Sequence, residues 1–260
     1  MEWTSGKDFR KEAMKQGKKQ KKILKEWKEV LYSIFFPRHC PICDETIAYG
    51  YKICPACEKK IPYIKEPVCK KCGKQLENER QEYCGDCSRK KHYFLQGKAV
   101  FSYRKEMKLS MYRFKYSNKR EYADYYAEVA VCEYGIWIKR KGIEVIVPVP
   151  MFLDKKRQRG YNQAEIFAQA LSREMGIPVE KRLIRRVRNT APQKSLNDRE
   201  RKDNLKNAFQ VDRNIVKYRK ILLVDDIYTT GTTVDAIAEN LQKVGVTEIY
   251  VLNICIGDGY

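Results

Sequence analysis

Eight of the ten cysteines in this 260-residue chain fall in four CxxC pairs: Cys40 with Cys43, Cys54 with Cys57, Cys69 with Cys72, and Cys84 with Cys87. The gaps of ten, eleven and eleven residues between them make a near-repeat of two units, each built as pair, spacer, pair. Each unit offers four thiolates, the soft tetrahedral set that Zn2+ prefers. The expected cofactor is therefore Zn2+ at two structural sites, the first pair joined to the second and the third to the fourth, although the spacing also permits an interleaved arrangement. Four protein ligands per ion leave no position for a catalytic water. A redox dithiol is the other chemistry open to CxxC. Few large apolar side chains lie between the pairs, so the metal must supply much of the folding free energy of this segment. His39 and His92 flank it and read as surface residues; Cys132 and Cys255, in apolar surroundings, read as small hydrophobes.

A second constellation occupies residues 221–237, ILLVDDIYTTGTTVDAI. Backbone N–H groups from Thr229 to Thr233, the threonine hydroxyls and a following helix N-terminus make an anion site, with Gly231 allowing close approach. Asp225 and Asp226 would repel a bare phosphate. They make sense if they reach neutral donors such as sugar hydroxyls, or a divalent cation held by the same ligand. A phosphorylated sugar with Mg2+ satisfies both ends. No GxxxxGK[ST] occurs in the chain, so a Walker-type loop fits poorly. The plainer alternative is a turn in which Asp226 caps the helix and the threonines favour the bend.

The elements that must position these groups follow from the hydrophobic pattern. From about residue 97 strands alternate with helices: GKAVFSYR as a strand, Tyr122 to Ile138 as a helix, IEVIVPVP as a strand buried on both faces, and residues 162–175 as an amphipathic helix. KILLVDD is a second buried strand, Thr232 to Val244 a helix stopped by Gly245, and EIYVLNICI a third strand. This order predicts an α/β fold with a parallel sheet covered by helices on both faces. In such sheets ligands sit beyond the carboxyl ends of the strands, where DDIYTTGTT lies. The domains expected are a basic amphipathic N-terminal helix over residues 1–36, a double zinc-ribbon module over 37–92, and the α/β domain over 93–260. The first helix has Ile23, Leu24, Trp27, Val30, Leu31, Ile34 and Phe35 on one stripe and lysines opposite; it packs on the next domain or lies on a membrane surface or nucleic acid.

The formal charge is +20, from 53 Lys and Arg against 33 Asp and Glu. That balance favours a polyanionic partner over a merely solvated lysine-rich surface. The stretch SYRKEMKLSMYRFKYSNKREY interleaves Tyr103, Tyr112, Phe114 and Tyr116 with Arg104, Lys108, Arg113, Lys115 and Arg120. Aromatic faces among cations are what single-stranded DNA requires, and aromatics on a helix also serve as core. No apolar run of about 18 residues and no secretion signal at Met1 is present, so a cytoplasmic location without a membrane span is expected.

ILLVDDIYTTGTT resembles the 5-phosphoribosyl-1-pyrophosphate (PRPP) signature of the type I phosphoribosyltransferases. VPVPMFLDKKRQRGYNQA, RRVRNTAPQKSLNDRERKDNLKNAF and the cysteine-rich head behind FPRHCPIC resemble the ComF family of competence-associated proteins, and the likeness runs from Phe36 to the end. It implies a phosphoribosyltransferase-like domain behind the zinc ribbons, with PRPP and Mg2+ as ligands. Asp225 and Asp226 would contact the ribose hydroxyls and form the catalytic pair of an active enzyme. Thr229, Thr230, Gly231, Thr232 and Thr233 would hold the 5-phosphate, and Arg157, Arg159, Gly160 and Asn162 would form the pyrophosphate-side loop. Arg186, Arg188, Thr190, Gln193, Arg201 and Asn204 lie where this fold has a mobile lid. The family resemblance further implies handling of single-stranded DNA during competence and natural transformation, alongside a competence helicase or other DNA-uptake proteins. The alternatives are an active phosphoribosyltransferase (a pentosyltransferase) on a base or another nucleophile, and a PRPP sensor without turnover.

Overall fold

The structure, a computed structural model, describes residues 35–187, 208–212 and 217–257. The amphipathic helix expected over residues 1–36 lies almost wholly outside the described residues. The sheet contains β1 (Gln96–Ser102), β2 (Val145–Pro148), β5 (Lys220–Tyr228) and β6 (Glu248–Ile256), in the order β1-β6-β5-β2 and parallel throughout. The apolar strands read from the sequence are these four. β5 lies inside the sheet because Ile221, Leu222, Leu223 and Val224 are all buried and can be covered only from both faces.

Successive side chains of β5 point to opposite faces and enter different cores. Leu222 and Val224 join Ile146, Leu252 and Ile254 on the face covered by α3 (Lys105–Tyr116), α4 (Tyr122–Lys141) and α6 (Gln163–Met175). Ile221 and Leu223 join Val145, Val147 and Val251 on the face covered by α7 (Thr232–Lys243), through Val234, Ile237, Ala238 and Leu241. Burying each such aliphatic side chain stabilises the fold by roughly 1.5–3 kcal/mol. On α3 the spacing of Met107, Ser110, Met111 and Phe114 sets one buried face, leaving Leu109, Tyr112 and Tyr116 outside.

The two cysteine units divide between these cores. Cys40, Ile42, Ile47, Ile53, Cys57 and Ile61 pack with the helical face, whereas Cys69, Cys72, Leu76, Cys84 and Phe94 pack with the α7 face. Each unit carries one short helix starting directly after a cysteine, α1 (Pro55–Glu58) and α2 (Gly85–Arg89). The arginine-rich stretch in the place of the lid is flanked by the two strands of an antiparallel ribbon, β3 (Ile184–Arg186) and β4 (Phe209–Val211). The loop after β2, the pyrophosphate-side loop of the resemblance, contains the short helix α5 (Leu153–Arg159). No helix among the described residues is long and apolar enough to cross a membrane.

Candidate functional site

Asp225 and Asp226 stand within β5, whose ladder with β6 continues to Tyr228. The Asp226 N–H donates to Asp225 Oδ1 at 2.8 Å. Burial, reinforced by the adjacent Asp226 carboxylate, pushes the Asp225 carboxyl up to about 8. Asp226 Oδ2 lies 3.0 Å from the ammonium of Lys115 near the end of α3. Burial works to lower Lys115, but the Asp226 and Asp225 carboxylates outweigh it and hold the ammonium above its ordinary range. Asp226 is therefore no helix cap: the N-cap of α7 is Gly231, and the Asp226 carboxylate is paired with Lys115 of α3.

Between the acids and α7 the chain turns at Gly231, where φ is +75°. A side chain there would collide with the Tyr228 hydroxyl and approach His92 Cε1 to 3.2 Å, so only glycine fits. Thr229 and Thr230 are exposed and Thr232 and Thr233 half-buried. Thr230 Oγ1 and Thr232 Oγ1 are 2.8 Å apart. No side chain caps α7, so the loop presents hydroxyls and first-turn N–H groups outward, as an oxyanion would need.

The loop after β2 supplies cations. Lys115, Arg120, Arg157, Arg159, Gly160 and Tyr116 line a cleft of about 470 Å³ with no acidic residue in its wall among the described residues. Arg159 donates to the Tyr116 hydroxyl at 2.8 Å and lies 4.7 Å from its ring centroid. Arg157 is mostly exposed and 3.6 Å from Asp154. Gly160, at φ +79°, ends α5 in the left-handed conformation. Asn162 is buried, donates to the Val149 carbonyl at 2.9 Å and caps α6 through Ala164 N at 3.2 Å. These two bonds fix the start of α6 behind the loop and use one of the two N–H donors of its amide. Lys115 belongs both to this cleft and to Asp226, so the acids, the threonine loop and the cation cleft adjoin at one carboxyl edge. Arg186 lies 5.5 Å from the Phe209 ring centroid, and the Asp225 charge opposes the lowering that burial imposes on its guanidinium. The other lid residues, Arg188, Thr190, Gln193, Arg201 and Asn204, lie outside the described residues.

The basic aromatic stretch divides between core, packing and surface. Phe114 is core, Arg113 donates to the Ile42 carbonyl at 2.9 Å, Arg120 stacks 4.7 Å over Tyr161, and Lys115 belongs to the acid pair. Tyr112 and Tyr116 remain 58% and 57% exposed, with ring centroids 5.0 Å apart. Sequence reasoning placed Lys115 among the cations for DNA and missed its pairing with Asp226; its place beside Phe114 at the end of a buried helical stripe was the available signal.

Cys40, Cys43, Cys54 and Cys57 form one tetrad and Cys69, Cys72, Cys84 and Cys87 the other, the sulfurs of each all within 4.8 Å of one another. The sequential pairing holds and the interleaved one does not. Cys43 Sγ is 3.8 Å from Cys54 Sγ, and Cys72 Sγ is 3.7 Å from Cys84 Sγ. A zinc tetrahedron with Zn–S bonds of about 2.3 Å has edges of roughly 3.8 Å, so both sets fit the ion. Burial first, then the neighbouring thiols, pushes Cys57 above the ordinary thiol range; in the second tetrad Cys69 and its neighbours do the same to Cys72 and Cys87. Cys40, Cys69 and Cys84 are shifted down instead, so each tetrad mixes favoured and disfavoured thiolates, and a bound cation would stabilise all four in the charged form.

His92 is not a surface residue. It is buried, with Nε2 3.4 Å from Cys87 Sγ and Nδ1 2.9 and 3.0 Å from the two Asp235 oxygens on α7. Its charged neighbours Lys90 and Lys91 hid this in the sequence. His39, half-buried, sits 3.9 Å from Glu121. Cys255 is buried as expected, while Cys132 is exposed on α4.

Residues 31–88 match the double zinc ribbon domain family and residues 162–255 the phosphoribosyl transferase domain family. Competence protein F of Haemophilus influenzae is 35% identical, over 84% of this chain and 96% of its own. DNA utilization protein YhgH of Escherichia coli is 30% identical over 84% and 97% of the two chains, and competence protein ComFC of Bacillus subtilis 27% identical over 75% and 79%. With this extent of similarity, two cysteine tetrads at its head and a phosphoribosyltransferase-type sheet behind them, the chain belongs to the ComF family of competence proteins.

Proposed function

We propose that this protein binds PRPP with Mg2+ and handles single-stranded DNA during competence, acting in the cytoplasm beside other DNA-uptake proteins. The observation that carries the PRPP reading is the meeting, at one sheet edge, of the Asp225–Asp226 pair with the Gly231 loop and a cleft walled by Lys115, Arg157 and Arg159. The acids accept from ribose hydroxyls, the threonine loop holds the 5-phosphate, and the cations face the diphosphate. Mg2+ bound with the ligand neutralises diphosphate charge. In the free protein Lys115 keeps Asp226 paired; with ligand bound, its ammonium serves the acid and the diphosphate together.

The same cation cluster favours a second reading, turnover. Charge that develops on a departing pyrophosphate would form where Lys115, Arg157 and Arg159 already stand. Calorimetric titration with PRPP and Mg2+ tests binding, and pyrophosphate release in the presence of nitrogenous bases or single-stranded DNA tests turnover. Binding without release supports a sensor; no binding by the wild-type protein defeats the PRPP reading.

The Tyr112–Tyr116 pair, with Arg159 over Tyr116, supports the DNA reading as a stacking platform at the mouth of the cleft. Affinity for an oligothymidylate should fall steeply as salt rises, because phosphate contacts release counterions. Binding indifferent to ionic strength contradicts it.

A further inference from the structure

The second tetrad reaches the threonine loop through a short chain of side chains. Cys87 Sγ touches His92 Nε2 at 3.4 Å, and His92 Nδ1 meets both Asp235 oxygens at 2.9 and 3.0 Å. Lys90 Nζ is 2.9 Å from Asp235 Oδ2 and 3.4 Å from the Thr230 carbonyl oxygen, and Tyr93 N–H donates to Asp235 Oδ1 at 3.3 Å. The His92 ring also closes the space beneath Gly231.

Asp235 is the informative member. A carboxylate in the first turn of a helix whose N-terminus receives a phosphate would weaken that phosphate by repulsion. Asp235 is nevertheless buried there, with Lys90, His92 and the Tyr93 N–H around its oxygens. Its contacts are all to the segment leaving the second zinc ribbon, so it serves as an anchor and not as a ligand group. Among the described residues the first tetrad has no such chain to the loop: its unit is tied to α3 through Arg113, which donates to the Ile42 carbonyl at 2.9 Å, and to α4 and the turn before it through Asp44 to Tyr122 at 2.5 Å and Lys119 at 2.7 Å, and through Arg38 to Asp124.

We infer that His92 is a positioning residue through which the second zinc centre fixes the phosphate loop, so that metal at Cys69, Cys72, Cys84 and Cys87 and ligand at Thr229–Thr233 reinforce each other. The ion fixes the Cys87 sulfur, that sulfur and Asp235 fix the ring, and the ring holds the first turn of α7 and the floor of Gly231. This rests on the reading that the loop binds the 5-phosphate of PRPP. Coupling of this kind is reciprocal: whatever factor the metal contributes to PRPP affinity, PRPP returns to metal affinity.

The test uses the full chain with zinc bound. His92→Phe keeps the ring volume and removes both nitrogens. It should retain two zinc ions per chain, speed hydrogen exchange across residues 229–235 in the ligand-free protein, and weaken PRPP binding by about five-fold or more. Asp235→Asn should act in the same direction and stands in if the first variant does not fold. Arg38→Gln, which loosens only the first ribbon, should leave loop exchange and PRPP affinity unchanged. In the wild-type protein, PRPP should protect about one of the two ions from a zinc-selective chelator. Unchanged exchange in both His92→Phe and Asp235→Asn, or equal loss of both ions with and without PRPP in a protein that binds PRPP, overturns the inference. The exchange comparison needs no ligand, so it judges the coupling even where wild-type protein fails to bind PRPP, a result that would count against the proposed function alone.

Discussion

The two cysteine units share a spacing and a ligand set, yet they are built into opposite faces of the sheet. The first sits over α3 and α4, held by side-chain pairs to helices. The second lies against the sheet backbone: Gly73 is so close to Gly97 and Lys98 that an added Cβ would be 3.0 Å from each, and Gly97 N–H donates to the Lys71 carbonyl at 2.6 Å. The difference teaches that a repeat in ligands fixes a repeat in metal chemistry and nothing more. What each unit does for the rest of the molecule is set by its flanking residues, Asp44 and Arg38 in one, Lys90 and His92 in the other.

The largest effect that could break this comparison is loss of one ion. Zinc in small structural sites is worth roughly 10–16 kcal/mol of apparent binding free energy. Cys43→Ser and Cys72→Ser should each lower the metal content from about two ions to about one, measured by atomic absorption. Only Cys72→Ser should also abolish PRPP binding, and equal losses in both variants would erase the distinction between the units.

Next in size is the acid pair. Replacing Asp225 and Asp226 by Asn should weaken PRPP binding about 10- to 100-fold, the worth of charged hydrogen bonds. Lys115→Met leaves Asp226 without its ammonium and should cost about 1–3 kcal/mol in urea denaturation.

A pH series sharpens the same point. The Asp225 carboxyl is raised in the folded protein from 3.8 to about 8, so over that interval the native state holds a proton that the unfolded chain has released. Its contribution is intact below the lower value and is lost progressively as pH rises toward the upper one. Ligand-free stability should therefore fall between about pH 4 and 8, and Asp225→Asn should flatten that slope. Affinity for PRPP should rise over the same range in wild-type protein, because sugar hydroxyls favour the ionised acid.

The smallest effect belongs to the first unit's surface. Arg38→Gln removes a partly exposed ion pair to Asp124 and should change the melting free energy by less than about 1 kcal/mol.

Much of this was legible because it is local. CxxC spacing announces four ligands per ion, and a run such as KILLVDD announces a strand covered on both faces; the acid pair followed by threonines and glycine is the local pattern on which the proposed sugar-phosphate edge rests. Lys115 and His92 were not legible in the same way. Each stands among other cations, and each owes its burial to a carboxylate far along the chain, 143 residues away for His92 and Asp235. Asn162 shows a role that spacing alone did not announce, a buried amide that caps α6 and donates to the Val149 carbonyl.

The most direct test is a calorimetric titration of PRPP and Mg2+ into the zinc-loaded protein, run beside the Asp225→Asn, Asp226→Asn double variant. Saturable binding of one PRPP per chain, weakened at least about ten-fold by the double substitution, is the expected result. Equal affinity in the two proteins, or no heat with the wild type, contradicts the placement of the sugar on this strand.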